Sequence, residues 1–249
     1  MPGNSLTGLQ RGRIFTEALA ARFSRAQLQA SGAYQYFCDQ VFMPIYENWQ
    51  ISQGEDGSRL IQSQRDATGY GSRLWVQSRE SDGVMSDFQV QWQQQAAEPG
   101  LTYHLLEADY RLQEGRLRVR RFCNDQLYET DIAMDATGIK VSPLMRVYVG
   151  DTLLWLYHNG GTGDVLMPWI QQPDQIERFL DIQLCRRCVK RLGTDVLSSH
   201  DSKIPCLVYQ YLGDQYDERT RFWVDESHLL REYRWLQHQA QWRVVCVID

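Results

Sequence analysis

Cys185 and Cys188, separated by two arginines, form the pair in this sequence whose spacing is most typical of redox or zinc chemistry. A structural zinc site needs a second pair of ligands at a similar spacing, and the sequence has none. On a strand, residues three positions apart also point to opposite faces of the sheet. We interpret the pair as two ordinary thiols, and we predict no metal site and no cofactor.

A glycine-rich segment, His-Asn-Gly-Gly-Thr-Gly-Asp, runs from His158 to Asp164. It lacks the Gly-Lys-Ser/Thr ending of a P-loop and the three-glycine spacing of a dinucleotide-binding fold, which disfavours nucleotide binding. The glycines indicate a loop that needs conformational freedom. His158 is a candidate acid or base at the start of this loop, and Asp164 is a candidate partner.

His104 shares one face of an alternating segment with Leu106 and Tyr110. A histidine on an apolar face is usually a hydrogen-bonded core residue; the alternative is a base or donor that faces a ligand cavity. The sequence contains no serine-hydrolase or zinc-protease motif. Any catalysis would therefore depend on groups that the fold brings together, with His104, His158 and Asp164 as candidates.

Arg116, Arg118 and Arg120 alternate with Leu117 and Val119, which predicts three guanidinium groups along one face of a strand. In one interpretation this face is solvated and the arginines pair with carboxylates of neighbouring strands. In the other it is a positive wall inside a cavity, where Arg118 holds a carboxylate or phosphate headgroup.

The sequence is rich in aromatic residues, with eight Trp and thirteen Tyr. Most are interpreted as core residues. A barrel of many strands, however, is filled only by large side chains or by a ligand, and an aromatic lining suits an apolar ligand. The candidates for such a lining are Trp92, Tyr148, Trp155, Trp169, Tyr209, Trp223, Tyr233 and Trp235.

The elements that must position these residues are mostly strands. Alternation is clearest over residues 204–249, where four short strands with polar breaks predict an antiparallel meander with one buried face. Residues 159–179 interrupt the β pattern and are interpreted either as a lid loop or as a long crossover. No strand-helix alternation is evident, so a parallel sheet is not expected. Further strands are predicted near 59–65, 72–79, 86–95, 101–112, 116–122, 127–135, 139–149, 152–158 and 181–191.

Residues 14–49 have a helical period instead. Two helices are predicted, separated near Ser31 and Gly32, with the second covering Tyr34 to Ile45 and kinked or ended by Pro44. The predicted fold is therefore mainly β, with one domain over 1–249. In it, a large antiparallel meander from 58 to 249 forms a lipocalin-like barrel or half-barrel, and the N-terminal helices pack on it.

Charge and hydropathy exclude several classes of function. The net charge is -5 and the sequence pI about 5.6, so no global positive field attracts nucleic acid or an anionic membrane. No apolar run is long enough for a transmembrane helix, and the N-terminal residues lack the apolar core of a signal peptide. We expect a cytoplasmic protein with reduced thiols. A homo-oligomer is compatible with the sequence, which leaves the oligomeric state open.

The N-terminal helices, the long meander and three C-terminal segments, at 221–226, 229–235 and 242–247, together resemble calycin and LolA-type half-barrel proteins, a group that includes glycolipid-binding proteins. The resemblance covers the β region from residue 58 onward. The Gly-x-Trp of strict lipocalins is replaced here by Glu47-Asn48-Trp49. The resemblance implies that a curved sheet binds a hydrophobic molecule of lipid, polyketide or terpenoid type.

Two functions are therefore considered. The first is a hydrophobic-ligand-binding protein. The second is a cofactor-independent tailoring enzyme, an isomerase or cyclase, whose cavity restricts a flexible substrate and supplies an acid or base. A histidine that converges with a carboxylate or a tyrosine hydroxyl in an enclosed pocket would favour the enzyme. A structural interaction partner would instead need an exposed apolar patch.

Overall fold

A computed structural model describes residues 23–94, 104–123, 126–134, 138–170, 175, 177–199, 202–213 and 218–249. Fifteen strands and the helix α1 (Val149–His158) are described, together with two short 3-10 helices, Thr68–Tyr70 and Arg146–Tyr148. The strands are β1 (Gln27–Cys38), β2 (Val41–Gln53), β3 (Arg59–Ala67), β4 (Ser72–Ser81), β5 (Val84–Gln94), β6 (His104–Gln113), β7 (Arg116–Cys123), β8 (Gln126–Ala133), β9 (Ile139–Val141), β10 (Thr162–Pro168), β11 (Ile182–Ser199), β12 (Ser202–Leu212), β13 (Arg221–Val224), β14 (Leu230–Gln237) and β15 (Ala240–Ile248).

The strands form one hydrogen-bonded order, β8-β7-β6-β5-β4-β3-β2-β1-β15-β14-β13-β12-β11-β10-β9. Most neighbours pair antiparallel, whereas β9 and β10 pair parallel. In the described part of the chain the order has two free ends, β8 and β9, so the sheet is not closed. The prediction of a mainly β protein with a large antiparallel sheet is confirmed, and so are the four strands of the C-terminal meander.

The helix predicted over Tyr34 to Ile45 is wrong, because this segment is the hairpin of β1 and β2. Tyr34 and Tyr36 are buried and Gln35 is more accessible, which is strand alternation. Asp39 and Gln40 have φ of 47° and 68°, as a two-residue hairpin turn requires. The turn at Asp39 and Gln40 shifts the order of apolar and polar residues between β1 and β2. Across the turn, the spacing of the apolar residues therefore resembles that of a helix. Residues 14–22 of the other predicted helix lie outside the described residues.

The strand predicted over 152–158 is also wrong, because these residues belong to α1. Leu153 and Leu156, three positions apart, are both fully buried, so the apolar face has helical spacing. The helix connects β9 to β10, which pair in parallel. A strand-helix-strand unit therefore exists where none was expected. The segment 159–179, expected to be a lid or crossover, contains β10.

The chain forms two compact units. The first contains residues up to Ser31, Asn48–Met134 and Trp169–Asp181; the second contains Gly32–Glu47, Asp135–Pro168 and Ile182–Asp249. The interpretation of residues 1–249 as one domain stays a prediction.

The core of the first unit lies on one face of β4 to β7. Phe88 and Tyr110 are cross-strand partners whose rings stack at 4.1 Å, and Val119 lies opposite Tyr110 on the next strand. The turn at residues 177–181 covers this face, since Tyr110 donates its hydroxyl to the Leu180 carbonyl. Aromatic stacking and burial of this turn stabilise the unit.

The core of the second unit is an aromatic row across five neighbouring strands. The row consists of cross-strand partners: Tyr36, Val244, Tyr233, Phe222 and Tyr209. All five are buried, and the Phe222 and Tyr233 rings stack at 4.9 Å. The segment from the second 3-10 helix through α1 packs on this face: the Arg146 guanidinium lies over the Tyr233 ring, and Tyr157 contacts the Tyr209 ring.

Candidate functional site

A groove of about 820 Å³ lies in the second unit, between the C-terminal end of α1 and the middle of β11. The groove is largely open to solvent, and polar and apolar atoms contribute about equally to its surface. The residues that line it are Tyr157, His158, Gly160, Gly161, Val189, Lys190, Arg191, Leu192 and Gly193. Tyr157 and Leu192 are exposed apolar residues of this lining, and Lys190 and Arg191 are its basic residues.

Two glycines set the helix end of the groove. Gly160 and Gly161 have φ of 82° and 83°, a conformation that glycine adopts without strain and that ends helices. The Gly161 amide donates to the Leu156 carbonyl, and the Val189 amide donates to the Gly161 carbonyl at 2.7 Å. The glycine-rich segment thus terminates α1 and ties it to β11.

A β-bulge in β11 forms the opposite side. Arg191 pairs with Tyr209 of β12, and Gly193 pairs with Val208, so Leu192 has no partner in the ladder. A bulge adds one residue to a strand and redirects a side chain, and bulges are common beside functional sites. The Leu192 side chain is 43% exposed at the edge of the groove.

Tyr209 lies next to the groove and is fully buried. Its ring meets the ring of Tyr157 edge-on at 5.8 Å. Among the described residues its hydroxyl has no hydrogen-bond partner. Burial raises the pKa of Tyr209, and the nearby guanidinium of Arg191 opposes that rise.

The structure describes the side chains of two of the three catalytic candidates, His158 and Asp164. His158 lines the groove, at the exposed end of α1. Asp164 lies on β10, where its carboxylate accepts a hydrogen bond from Arg186 at 3.1 Å. His104 is the first residue of β6 and pairs with Gln94, but its side chain is outside the described part of the structure. The contacts of the described side chains do not join His158 to Asp164, and the catalytic role stays a prediction.

Three of the aromatic candidates, Tyr209, Tyr233 and Trp235, share the buried face beneath α1. Tyr233 stacks on Trp235 at 4.3 Å, and the guanidinium of Arg146 lies 5.0 Å from the Tyr233 ring. Trp223 points to the opposite face, since it pairs with Glu232 while its neighbour Phe222 pairs with Tyr233. One lining that contains all four aromatic residues is therefore excluded by strand geometry.

Tyr148 and Trp155 belong to the helical segment itself. Tyr148 is buried in the second 3-10 helix, and its carbonyl accepts a hydrogen bond from Thr152. Trp155 packs against Gly163 of β10, where a Cβ would lie 2.6 Å from the indole ring. Trp155 thereby packs α1 against β10.

The remaining two aromatic candidates, Trp92 and Trp169, lie in the first unit. Trp92 meets Phe179 edge-on at 5.2 Å, and Arg178 lies over the Trp169 ring at 4.8 Å. Sequence reasoning missed Arg121, which organises this region: its buried guanidinium donates to the Glu177 and Phe179 carbonyls, each at 3.0 Å.

Arg118 is exposed on β7, with its guanidinium 3.8 Å from the Asp131 carboxylate. Arg116 and Arg120 also pair with carboxylates of β8. This arrangement corresponds to a solvated face rather than to a positive wall. Cys185 is buried and Cys188 is half-buried, on opposite faces of β11.

Sequence reasoning also missed Tyr157, Arg191 and Leu192. The available signal was Gly193: an isolated glycine within a strand pattern often marks a bulge. The strand was predicted to stop at Arg191, whereas β11 continues to Ser199. The bulge, and the groove beside it, lie where the predicted strand ended.

The comparisons with known proteins concern the fold. Neither a family model nor a curated protein matches the sequence. The crystal structure of a β-barrel-like protein of the domain of unknown function DUF1849 from Brucella abortus matches with a TM-score of 0.53. The match covers 90% of this chain and 98% of that chain. The two chains share a fold. At 10% sequence identity the likeness shows nothing further, but it agrees with the barrel-type architecture expected from the sequence.

No helix in the described residues is long and apolar enough to cross a membrane.

Proposed function

We propose that the protein binds a hydrophobic, lipid-like small molecule in the groove between α1 and β11. The observation that carries this proposal is the bulge that exposes Leu192 beside Tyr157 and Val189, in a groove of about 820 Å³. A site of this kind combines apolar contact with a few polar groups that orient the ligand.

The location of the site differs from the one that the sequence suggested. Tyr209 and Tyr233 pack beneath the helical segment, against Tyr157 and Arg146, and the groove lies at the end of that segment. Binding of the kind implied by the LolA-type and calycin resemblance would thus use a groove at the edge of the buried face. A cytoplasmic location is a further part of this proposal and rests on the sequence alone.

The alternative of a tailoring enzyme has less support. His158 lines the groove, but the carboxylate of Asp164 is engaged by Arg186 on the exposed surface. No observation on the described residues favours catalysis over binding, and so we argue only for binding.

A dye-binding experiment on the full chain tests the proposal. The probe is Nile red, an uncharged apolar dye whose fluorescence rises in apolar surroundings. The variant Leu192→Asp places a charge in the apolar part of the groove, and burial of a leucine side chain contributes about 1.5 to 3 kcal/mol. We expect at least a tenfold loss of affinity.

The matched control is Val196→Asp. Val196 lies on the same strand and is 53% exposed, but it does not line the groove. We expect this variant to bind the dye as the wild type does. Absence of dye binding in the wild type, or an equal effect of the two variants, would overturn the proposal. Native mass spectrometry of the purified protein would then identify any molecule that co-purifies.

A further inference from the structure

We infer that the ligand of this groove carries an anionic headgroup, a carboxylate or a phosphate, and that Arg191 binds it. This inference rests on the proposed function, and it names the chemical class of the ligand. It depends on three observations: the charge of the lining, the position of Arg191 beside Tyr209, and the capping of the nearby helix end.

The lining has two basic residues, Lys190 and Arg191, and no carboxylate among its nine residues. Both basic residues are exposed, and only Arg191 shares the face of Tyr209. Among the described residues, no carboxylate pairs with either of these two side chains. Arg186, on the same strand, does pair with Asp164.

Some arginines elsewhere on the sheet have carboxylate partners: Arg59 and Arg243 pair with carboxylates at 2.8 and 2.7 Å. An unpaired guanidinium beside apolar side chains such as Leu192 can bind a carboxylate or phosphate through two hydrogen bonds.

Arg191 is better placed than Lys190. Strand pairing puts Arg191 on the same face as Tyr209, which supplies a buried hydroxyl without a partner among the described residues. Lys190 pairs with Gln210, and the alternation of the strand directs its side chain to the other face. A headgroup bound by Arg191 would therefore lie beside Tyr209, whose ring contacts Tyr157.

The end of α1 does not oppose an anion strongly. A helix C-terminus carries about half a negative charge on its free carbonyl groups. Here Asn159 donates its amide and its side chain to the Trp155 carbonyl, and Gly161 donates to the Leu156 carbonyl. These carbonyls are satisfied, and the full positive charge of Arg191 outweighs the remainder.

Binding of three twelve-carbon compounds to the full-length protein tests the inference. The compounds are dodecanoate, dodecyl phosphate and dodecanol, each titrated by calorimetry below its micellar concentration. We expect both anions to bind about tenfold more tightly than the alcohol, since a charge-assisted hydrogen bond is stronger than a neutral one. Tighter binding of dodecanoate or of dodecyl phosphate distinguishes a fatty carboxylate from a phosphate headgroup.

The decisive variant is Arg191→Gln, with Arg186→Gln as its matched control, since Arg186 is exposed on the same strand and does not line the groove. We expect Arg191→Gln to abolish the preference for the anions and to leave dodecanol binding intact, whereas Arg186→Gln keeps the preference. Equal loss in both variants would show a diffuse charge effect and overturn the assignment to Arg191. An unchanged unfolding midpoint in both variants excludes misfolding as the cause.

Failure of the inference and failure of the proposed function are distinguishable. If dodecanol binds as tightly as dodecanoate and Leu192→Asp weakens both, the anionic headgroup is wrong and the groove still binds an apolar ligand. If none of the three compounds binds, or if Leu192→Asp affects none of them, the proposed function fails and the inference fails with it.

Discussion

Arg191 lies directly opposite Tyr209 in the pairing of β11 with β12, and the next residue, Leu192, has no partner in that ladder. The pair marks the point at which the buried aromatic face reaches the surface. On its buried side Tyr209 contacts Tyr157 of α1, and on the surface side the bulge opens the groove.

The variant Tyr209→Phe tests whether the buried hydroxyl is unpaired in the protein without ligand. A buried polar group without a partner costs about 1 to 3 kcal/mol, so its removal should leave the free energy of unfolding unchanged or raise it. Urea denaturation measures this difference. A loss of more than 1 kcal/mol, by contrast, would mean that the hydroxyl has a hydrogen-bond partner.

The variant Glu47→Gln tests how the helical segment is held on the sheet. Glu47 is fully buried, and its carboxylate accepts hydrogen bonds from the Tyr36 hydroxyl at 2.5 Å and the Arg146 amide at 2.6 Å. A glutamine turns one acceptor into a donor that faces another donor. We expect a loss of about 2 kcal/mol in the free energy of unfolding.

The control for this change is Glu129→Gln. Glu129 is exposed and pairs with Arg120 across the strand, so its substitution should cost less than about 0.5 kcal/mol. Similar losses for the two variants would contradict the anchoring role of Glu47.

The variant Arg121→Met tests the turn that covers the core of the first unit. The Arg121 guanidinium donates to two carbonyls of the turn and lies 3.4 Å from the Asp181 carboxylate. Its removal leaves these acceptors unpaired in a buried site. We expect a loss of about 3 kcal/mol and faster proteolysis between residues 177 and 181.

The neighbour Arg120→Met serves as the control for Arg121→Met, because Arg120 is exposed and pairs with Glu129. Limited proteolysis followed by mass spectrometry locates the cleavage. Cleavage at the turn in neither variant, with no difference in unfolding, would refute the role of Arg121.

The variant Gly150→Ala tests the packing of α1 against the turn between β13 and β14. A Cβ at position 150 would overlap the His228 carbonyl oxygen, and this neighbour is backbone that has little room to move. We expect a loss of at least about 2 kcal/mol. Gly69→Ala is the control, since a Cβ there meets nothing within 4 Å. Thermal unfolding of the two variants measures the difference.

Alkaline pH should destabilise the protein. Burial raises the pKa of the Cys123 and Cys206 thiols from 9.0 to about 11, and burial also raises the pKa of Tyr34 and Tyr110. The folded state therefore retains protons that the unfolded state releases, so stability falls as the pH rises from about 9 to 11. Unfolding midpoints at pH 8 and pH 10.5 measure the fall, which Cys123→Ala should reduce. An equal fall in this variant would refute the assignment to Cys123.

Much of the fold could be predicted from local pattern. The strands β3 to β8 and β12 to β15 were expected within a few residues of their positions, because each alternates with period two and ends at a polar or glycine turn. The hairpin of β1 and β2 was not predicted, because the apolar residues on the two sides of its turn at Asp39 and Gln40 have the spacing of a helix. Of the groove, only His158 was identified beforehand.

The sequence by itself determined that the protein is mainly β and rich in aromatic core residues, because the side-chain period of a strand and the turn preference of glycine are local properties. Only the tertiary structure decided which aromatic residues share a face. That choice depends on the register between strands, which puts Tyr209 with Tyr233 and sets Trp223 on the other side. The groove depends on two more long-range contacts, the docking of α1 beside β11 and the bulge at Leu192. Neither leaves a periodic signal in the sequence.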